Sequence, residues 1–536
     1  MLHKITTKQK ILVMIAVMSG LLLAALDQSI VGTALPTIVA QFNGLSELSW
    51  VVTAYLLTST ITIPISGKMS DIFGRRKVLL TGILIFVLGS SLTGAAWNMT
   101  SLIFFRALQG IGGGVLFASA FAVIGDLFAP AERAKWQGIF GAVFGLSSII
   151  GPLLGGFLTD NVSWRWCFYI NIPFGILAFI LIYFFLPTIV AKGRDKKIDY
   201  GGAAILAFAL GSLLLGLSWG GTKYPWLSWE IISLMIGALI LIPIFIYWEA
   251  KHEDPIIPLH IFKNSIFRVS VTMLFFVGIA MFGAIIYLPM FAQIVQGSSA
   301  TNSGIILLPL VVSLAATSII SGQVISRTGR YKILAIAGTI ITTVALFWLS
   351  TLTASSSHAQ TIIRMIPLGI GIGIIMPLFN LIVQNAFPQK MLGVVSSSAQ
   401  LFRGIGSVVG IAVMGTYLNH SIAQKLESVG SSSFIEQLKQ SRHLTTIDAN
   451  SMEQILSKES QAKILSQLSD LPQQLQAPLI NSFNEFVRMA QTIMAGAIAN
   501  VFFLGGCIML IACLVVFFLK EIPLRKSNDL HHDMGH

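Results

Sequence analysis

The chain has 536 residues, 55% of them hydrophobic and 10% charged, with a formal net charge of +12. Soluble domains carry roughly 25% charged residues, which excludes an ordinary soluble enzyme. A disordered or collagen-like chain is excluded too, because the sequence is apolar and its glycines keep no fixed period.

A bilayer core of about 30 Å needs about 20 apolar residues of helix. Fourteen runs of this kind follow one another, near 11–34, 48–66, 78–97, 101–124, 137–159, 166–187, 200–218, 229–248, 267–289, 303–324, 332–351, 360–383, 396–417 and 490–519. The first is too long for a signal-peptide core and lacks a small-residue cleavage site, so it is expected to remain as a helix. An even number of spans puts both termini on one side. That side holds 23 of the 34 basic residues, around Arg75, Arg133, Lys196, Lys251, Arg330 and Lys390, whereas the short loops opposite hold two, Arg165 and Lys223. The positive-inside rule therefore predicts a multi-pass protein of the cell (cytoplasmic or inner) membrane with both termini in the cytoplasm. Positive charge in such a chain serves orientation, and no nucleic-acid partner is expected.

The expected layout is a six-helix bundle over 1–188, two inserted helices over 189–266, a second six-helix bundle over 267–519 and a tail over 520–536. Within the second bundle, 418–489 reads as one long extracytoplasmic loop with a few short amphipathic helices. It contains His443 and Asp448, a spacing seen in some acyltransferases, but no nucleophile or glycine-rich context accompanies the pair. Cys167, Cys507 and Cys513 lie in or beside apolar runs, where neither a disulfide framework nor a metal site is expected.

The two bundles read as repeats. Gly67-Lys-Met-Ser-Asp71-Ile-Phe-Gly74-Arg75-Arg76-Lys77 follows span 2, and Gly322 to Lys332 follows span 10 at an offset of 255, with Ser326 in place of Asp71. Arg106 precedes Gly110-Ile-Gly112 in span 4; Arg364 precedes Gly369-Ile-Gly371 in span 12. Such repeats build secondary transporters with a site between the halves.

With these motifs the chain resembles the fourteen-span drug:proton antiporter branch of the major facilitator superfamily, the group containing quaternary-ammonium and multidrug efflux pumps. Leu26-Asp27 through Pro36 looks like the branch signature in helix 1, and Gly67 to Lys77 like the superfamily loop motif. Arg106-Ala-Leu-Gln109-Gly110 is similar to the helix 4 motif, Gly151-Pro152-Leu-Leu-Gly155-Gly156 to the helix 5 antiport motif, and Trp164 through Pro173 to the branch as well. The resemblance implies an all-α major facilitator fold and proton-coupled efflux of amphipathic, cationic compounds by alternating access. An endogenous lipid, peptide or siderophore is the alternative cargo. The proton gradient takes the place of a cofactor, and the expected partners are lipophilic solutes and membrane lipids around a monomer. No adaptor subunit is visible in the sequence.

The residues support roles of their own. Asp27 is the one carboxylate deep inside a span, where an unpaired charge costs about 3 kcal/mol or more. Burial disfavours its charged form and a nearby cation favours it, which is the balance a reversible proton carrier needs. Arg106 falls at similar depth, and the resemblance assigns it to proton handling. Gly110–Gly114 lacks the lysine and hydroxyl of a nucleotide loop and reads as close helix packing. In span 5, Gly138, Gly141, Gly145, Ser148, Pro152 and Gly155 recur at three- and four-residue steps, as one smooth sliding face. The resemblance makes Gly67, Asp71, Gly74, Arg75 and Arg76 a cytoplasmic gate in which Asp71 pairs across the half or caps a helix N-terminus. Gln109, Arg364 and Asn380 are further candidates for substrate contact or coupling.

Overall fold

The computed structural model describes residues 6–42, 48–187, 199–221, 223–298, 300–428 and 473–524, with isolated positions between 456 and 466. Among them fourteen helices are long and apolar enough to cross a membrane. They are α1 (Thr7–Phe42), α2 (Leu48–Phe73), α3 (Arg75–Gly94), α4 (Met99–Leu127), α5 (Pro130–Asn161), α6 (Asn171–Phe185), α7 (Tyr200–Trp219), α8 (Trp229–Lys251), α9 (Ser265–Met290), α10 (Ala300–Thr328), α11 (Lys332–Leu349), α12 (His358–Ala386), α13 (Leu392–Ser428) and α14 (Gln473–Val516). A four-residue turn of helix, Trp166–Tyr169, leads into α6 and completes that span over Trp166–Phe185, and a π-helical turn, Phe291–Val295, ends α9. Large apolar side chains such as Leu239, Phe208, Phe184 and Phe518 are about 70% exposed or more, as a surface solvated by lipid requires.

The repeat is visible in three dimensions. α1–α6 bury their own sets of apolar side chains and α9–α14 another, with α7 beside α2 and α13 and α8 packed on α7. Asn98 and Ser357, at the starts of α4 and α12, each close a reciprocal capping box, with Ser101 and Gln360 respectively. The turns after α2 and α10 both pivot on a left-handed glycine, Gly74 (φ 90°) and Gly329 (φ 68°). Only glycine adopts such a φ without a Cβ clash, so these positions punctuate the repeat. Gly67 packs on Ser397 of α13, and its counterpart Gly322 packs on the Ala134 carbonyl of α5. The halves are thus joined by a pair of equivalent crossings, α2 on α13 and α10 on α5.

Two readings of the sequence change. The segment taken as a loop over 418–489 is shorter, because α13 continues to Ser428 and α14 begins at Gln473. Hydropathy ends a span where the bilayer ends, whereas backbone hydrogen bonding carries the helix into polar sequence beyond it. His443 and Asp448 lie outside the described residues, as does most of the loop 189–199. The glycine face of α5 is not one seam. Gly138, Gly141 and Gly145 lie against Ser318 and Val311 of α10, but Gly151 and Gly155 lie against Ser29, Ile30 and Thr33 of α1. α5 therefore changes neighbours from the opposite half to its own, and Gly156 has no neighbour within 4 Å of an added Cβ.

Candidate functional site: a buried ion pair and a closed basic face

Asp27 and Arg106 meet. Arg106 Nη1 donates to Asp27 Oδ2 at 2.6 Å, with both side chains essentially inaccessible. Asp27 Oδ1 accepts from Gln109 Nε2 (2.8 Å) and Asn171 Nδ2 (3.0 Å), so three donors from α4 and α6 converge on one carboxylate of α1. Arg106 is held from the other side: Nη1 also reaches Gln109 Oε1 (2.8 Å), Nε donates to the Val51 carbonyl (3.2 Å), and the guanidinium lies 4.5 Å from the Tyr55 ring centroid. Ser90 of α3 completes the cluster by accepting from Asn171 Nδ2 (3.0 Å) and donating to the Phe168 carbonyl (2.9 Å).

Small residues make this convergence possible. An added Cβ at Gly89 would lie 2.6 Å from the Gln109 backbone, and one at Gly113 would lie 2.4 Å from the Tyr55 hydroxyl oxygen. Gly110 and Gly114 bring α4 equally close to α2. The glycines of this helix are therefore packing contacts that set the distance between the charged residues. Charge neutrality decides what the cluster can do. A carboxylate beside one guanidinium is a net-neutral buried pair, and removing either charge leaves the other uncompensated.

A second cluster closes the end of the molecule that carries the basic loops, called here the basic face. Arg75 Nη2 pairs with Asp71 Oδ1 (2.5 Å), Arg75 Nε with Asp126 Oδ2 (2.7 Å), and Arg75 Nη1 donates to Ser70 Oγ. The other Asp71 oxygen accepts from Val394 N at 3.2 Å. Val394 stands in the first turn of α13, so a carboxylate of the first half sits on a helix N-terminus of the second, where free N–H groups and the helix dipole favour negative charge. Gln384 of α12 strengthens the closure by donating to the Phe121 carbonyl (3.0 Å) and accepting from Gln137 (3.0 Å). Gln389 Nε2 donates to the Asp126 carbonyl (3.2 Å). Gly67 and Gly74 shape the same corner through their close approach and left-handed turn. Arg76 does not join it. Its guanidinium lies 4.7 Å from the Tyr183 ring centroid, packing α3 on α6, because the helical step from Arg75 turns it away from Asp71.

The degenerate repeat is degenerate in chemistry as well. Ser326 is half-buried where Asp71 is buried. Arg364 has a buried Nη1 without a hydrogen-bond partner, since α9 offers no acid opposite it as α1 does for Arg106. Asn380 Oδ1 accepts from Gln400 Nε2 (2.9 Å), and its own Nδ2 donates to the Met376 carbonyl. Pro152 lies inside α5, which continues through it.

The Gly67 contact yields one expected result. An added Cβ there falls 2.1 Å from Ser397 Oγ and 2.9 Å from the Gly393 carbonyl. Gly67→Val is expected to hold the basic face open, raising thiol labelling of Ser397→Cys several-fold. Labelling as slow as in the Gly67 parent would contradict the contact.

Comparison with known proteins agrees with this architecture. The Major Facilitator Superfamily family model matches residues 17–411. The multidrug transporter protein MdtP of Bacillus subtilis is 39% identical over 532 residues, covering 95% of this chain and 94% of that protein. Multidrug resistance protein 3 of the same organism is 36% identical over 415 residues, covering 77% of this chain and 80% of its own. Among solved structures, the proton:xylose symporter XylE matches with a TM-score of 0.60 at 13% identity, over 97% of this chain and 98% of that one, a likeness of fold. The chain belongs to the major facilitator superfamily, in its multidrug efflux group.

Proposed function

We propose that this multidrug efflux transporter is a proton antiporter of the cytoplasmic membrane that exports amphipathic compounds, cations among them, by alternating access. The observation that carries this reading is the Asp27–Arg106–Gln109–Asn171 cluster, a proton-binding group whose charge state is tied to the placement of a buried arginine. With the basic face taken as cytoplasmic, the closure at Asp71, Val394 and Gln384 corresponds to an outward-facing state. Proton arrival at Asp27 from outside releases Arg106, and the helices it ties together (α1, α2, α4 and α6) rearrange as solute leaves. Proton loss toward the cytoplasm restores the ion pair and the solute-binding form. A cavity with room for about one water lies between α4, α5 and α12, lined by Phe121, Gln137, Phe140, Gly141, Phe144, Met376 and Pro377. The chain has the family and fold of a transporter, and no enzymatic step is assigned to it.

Solute-induced proton release from the purified transporter tests the coupling. Release in step with binding of tetraphenylphosphonium supports antiport, and binding without release at any pH refutes it. Arg106→Ala adds a second check. It removes the cation that Asp27 is paired with, so solute-induced proton release is expected to fall several-fold. Release equal to that of the wild type would separate Arg106 from proton handling.

A further inference from the structure

We propose that Arg403 anchors an acidic group of the transported compound, so that the transporter accepts amphipathic carboxylates and zwitterions as well as cations. The inference rests on the exporter reading above and names a substrate class for it.

In the first half the buried Arg106 and Arg75 each have carboxylates: Asp27 for one, Asp71 and Asp126 for the other. Arg403 of α13 has none. Its Nε donates to Gln400 Oε1 at 2.7 Å, and no carboxylate lies within 4 Å of it among the described residues. Both terminal guanidinium nitrogens make no hydrogen bond among those residues, and the side chain is half-buried. Eleven residues past Leu392, it lies about 17 Å along α13, near the middle of a bilayer rather than at headgroup level.

The partner of this unfilled fork, Gln400, stands on the side of α13 that meets the first half. On α13, Ser397 meets Gly67 and Gly404 approaches Thr60, both of α2, so 397, 400 and 404 form one stripe facing the first half. Gln400 links Arg403 to Asn380 of α12. Asn380 lies one turn from Gln384, which bonds to Phe121 and Gln137 of the first half, and one turn from Met376, which lines the cavity with Phe121 and Phe140. Arg403, Gln400 and Asn380 thus form one hydrogen-bonded polar strip across α12 and α13. A planar guanidinium with free donors matches a carboxylate in two parallel hydrogen bonds, and a cation at this depth is stabilised by an anion that arrives with the cargo. Asp27 cannot serve as a general cation receptor without giving up its three donors, so the strip supplies the charge recognition that the ion pair withholds.

The test uses the full-length protein in detergent and three probes: dansyl-phenylalanine, its neutral carboxamide, and tetraphenylphosphonium. The wild type is expected to bind the acid about tenfold more tightly than the carboxamide, the equivalent of one charge-assisted hydrogen bond. Arg403→Gln should erase that preference while keeping the affinities for carboxamide and tetraphenylphosphonium within about twofold. Arg403→Lys should restore part of it, which also shows that the site is folded. Equal binding of acid and carboxamide by the wild type, or a preference that survives in Arg403→Gln, overturns the assignment. Efflux from proteoliposomes keeps the two readings apart: wild-type protein that exports tetraphenylphosphonium without any acid preference loses only the Arg403 site, whereas no proton-driven export of any probe removes the exporter reading itself.

Discussion

Asp27→Asn is expected to abolish proton-driven efflux and to lower the thermal stability of the transporter, and Asp27→Asn/Arg106→Gln to recover the stability without the efflux. The asparagine keeps the size of the side chain and can still accept from Gln109 or Asn171. It carries no charge, however, so Arg106 is left buried against neutral neighbours. Removing one member of a buried pair costs roughly 3–5 kcal/mol, mostly because the remaining charge is uncompensated. Removing both charges relieves that penalty. Function separates from stability because no proton can be exchanged in either variant. Proton release on solute addition, measured beside a melting curve, reads both effects. Undiminished release from Asp27→Asn would move coupling to another carboxylate, with Asp126 next in line.

Charge in an apolar run was the most legible signal in the sequence. Asp27 and Arg106 stand out because few charged residues occur inside spans, and the structure brings them within 2.6 Å. Amides carry no such contrast. Gln109 and Asn171 were visible as parts of motifs, though not as partners of Asp27, whereas Gln384 with Gln137, which seal the basic face, look like ordinary polar residues until helices are packed. Arg76 shows the converse limit: a basic cluster reads as one unit in sequence, yet neighbouring residues on a helix point about 100° apart, and it packs on Tyr183 while Arg75 enters the gate. The face of α5 failed for a related reason. Three- and four-residue steps drift around a long helix, so glycines thirteen residues apart meet different partners. Arg403 lies within the apolar run 396–417, but its lack of an acid shows only with α9, α12 and α13 in place.

Asp71→Asn is expected to slow transport by about 5- to 150-fold while leaving solute affinity nearly intact, the range of a conformational coupling of about 1–3 kcal/mol. Asp71 does two things at once. It neutralises Arg75 inside the first half, and it caps the N-terminus of α13 in the second through Val394 N. Only the second contact joins the two halves, so it is the one expected to bias their relative arrangement rather than the fold of either. Asp126→Asn separates the roles. Asp126 also pairs with Arg75, but its tie to the second half runs through its backbone carbonyl to Gln389, which the substitution leaves in place. It should therefore disturb Arg75 without unlocking the basic face. The measurement is thiol labelling of Ser397→Cys alongside efflux rate. Asp71→Asn should raise labelling and cut the rate together, whereas Asp126→Asn should leave labelling near its starting level. Equal labelling in the two variants would mean that Asp71 acts through Arg75 alone, and that the cross-half bond to α13 follows closure without driving it.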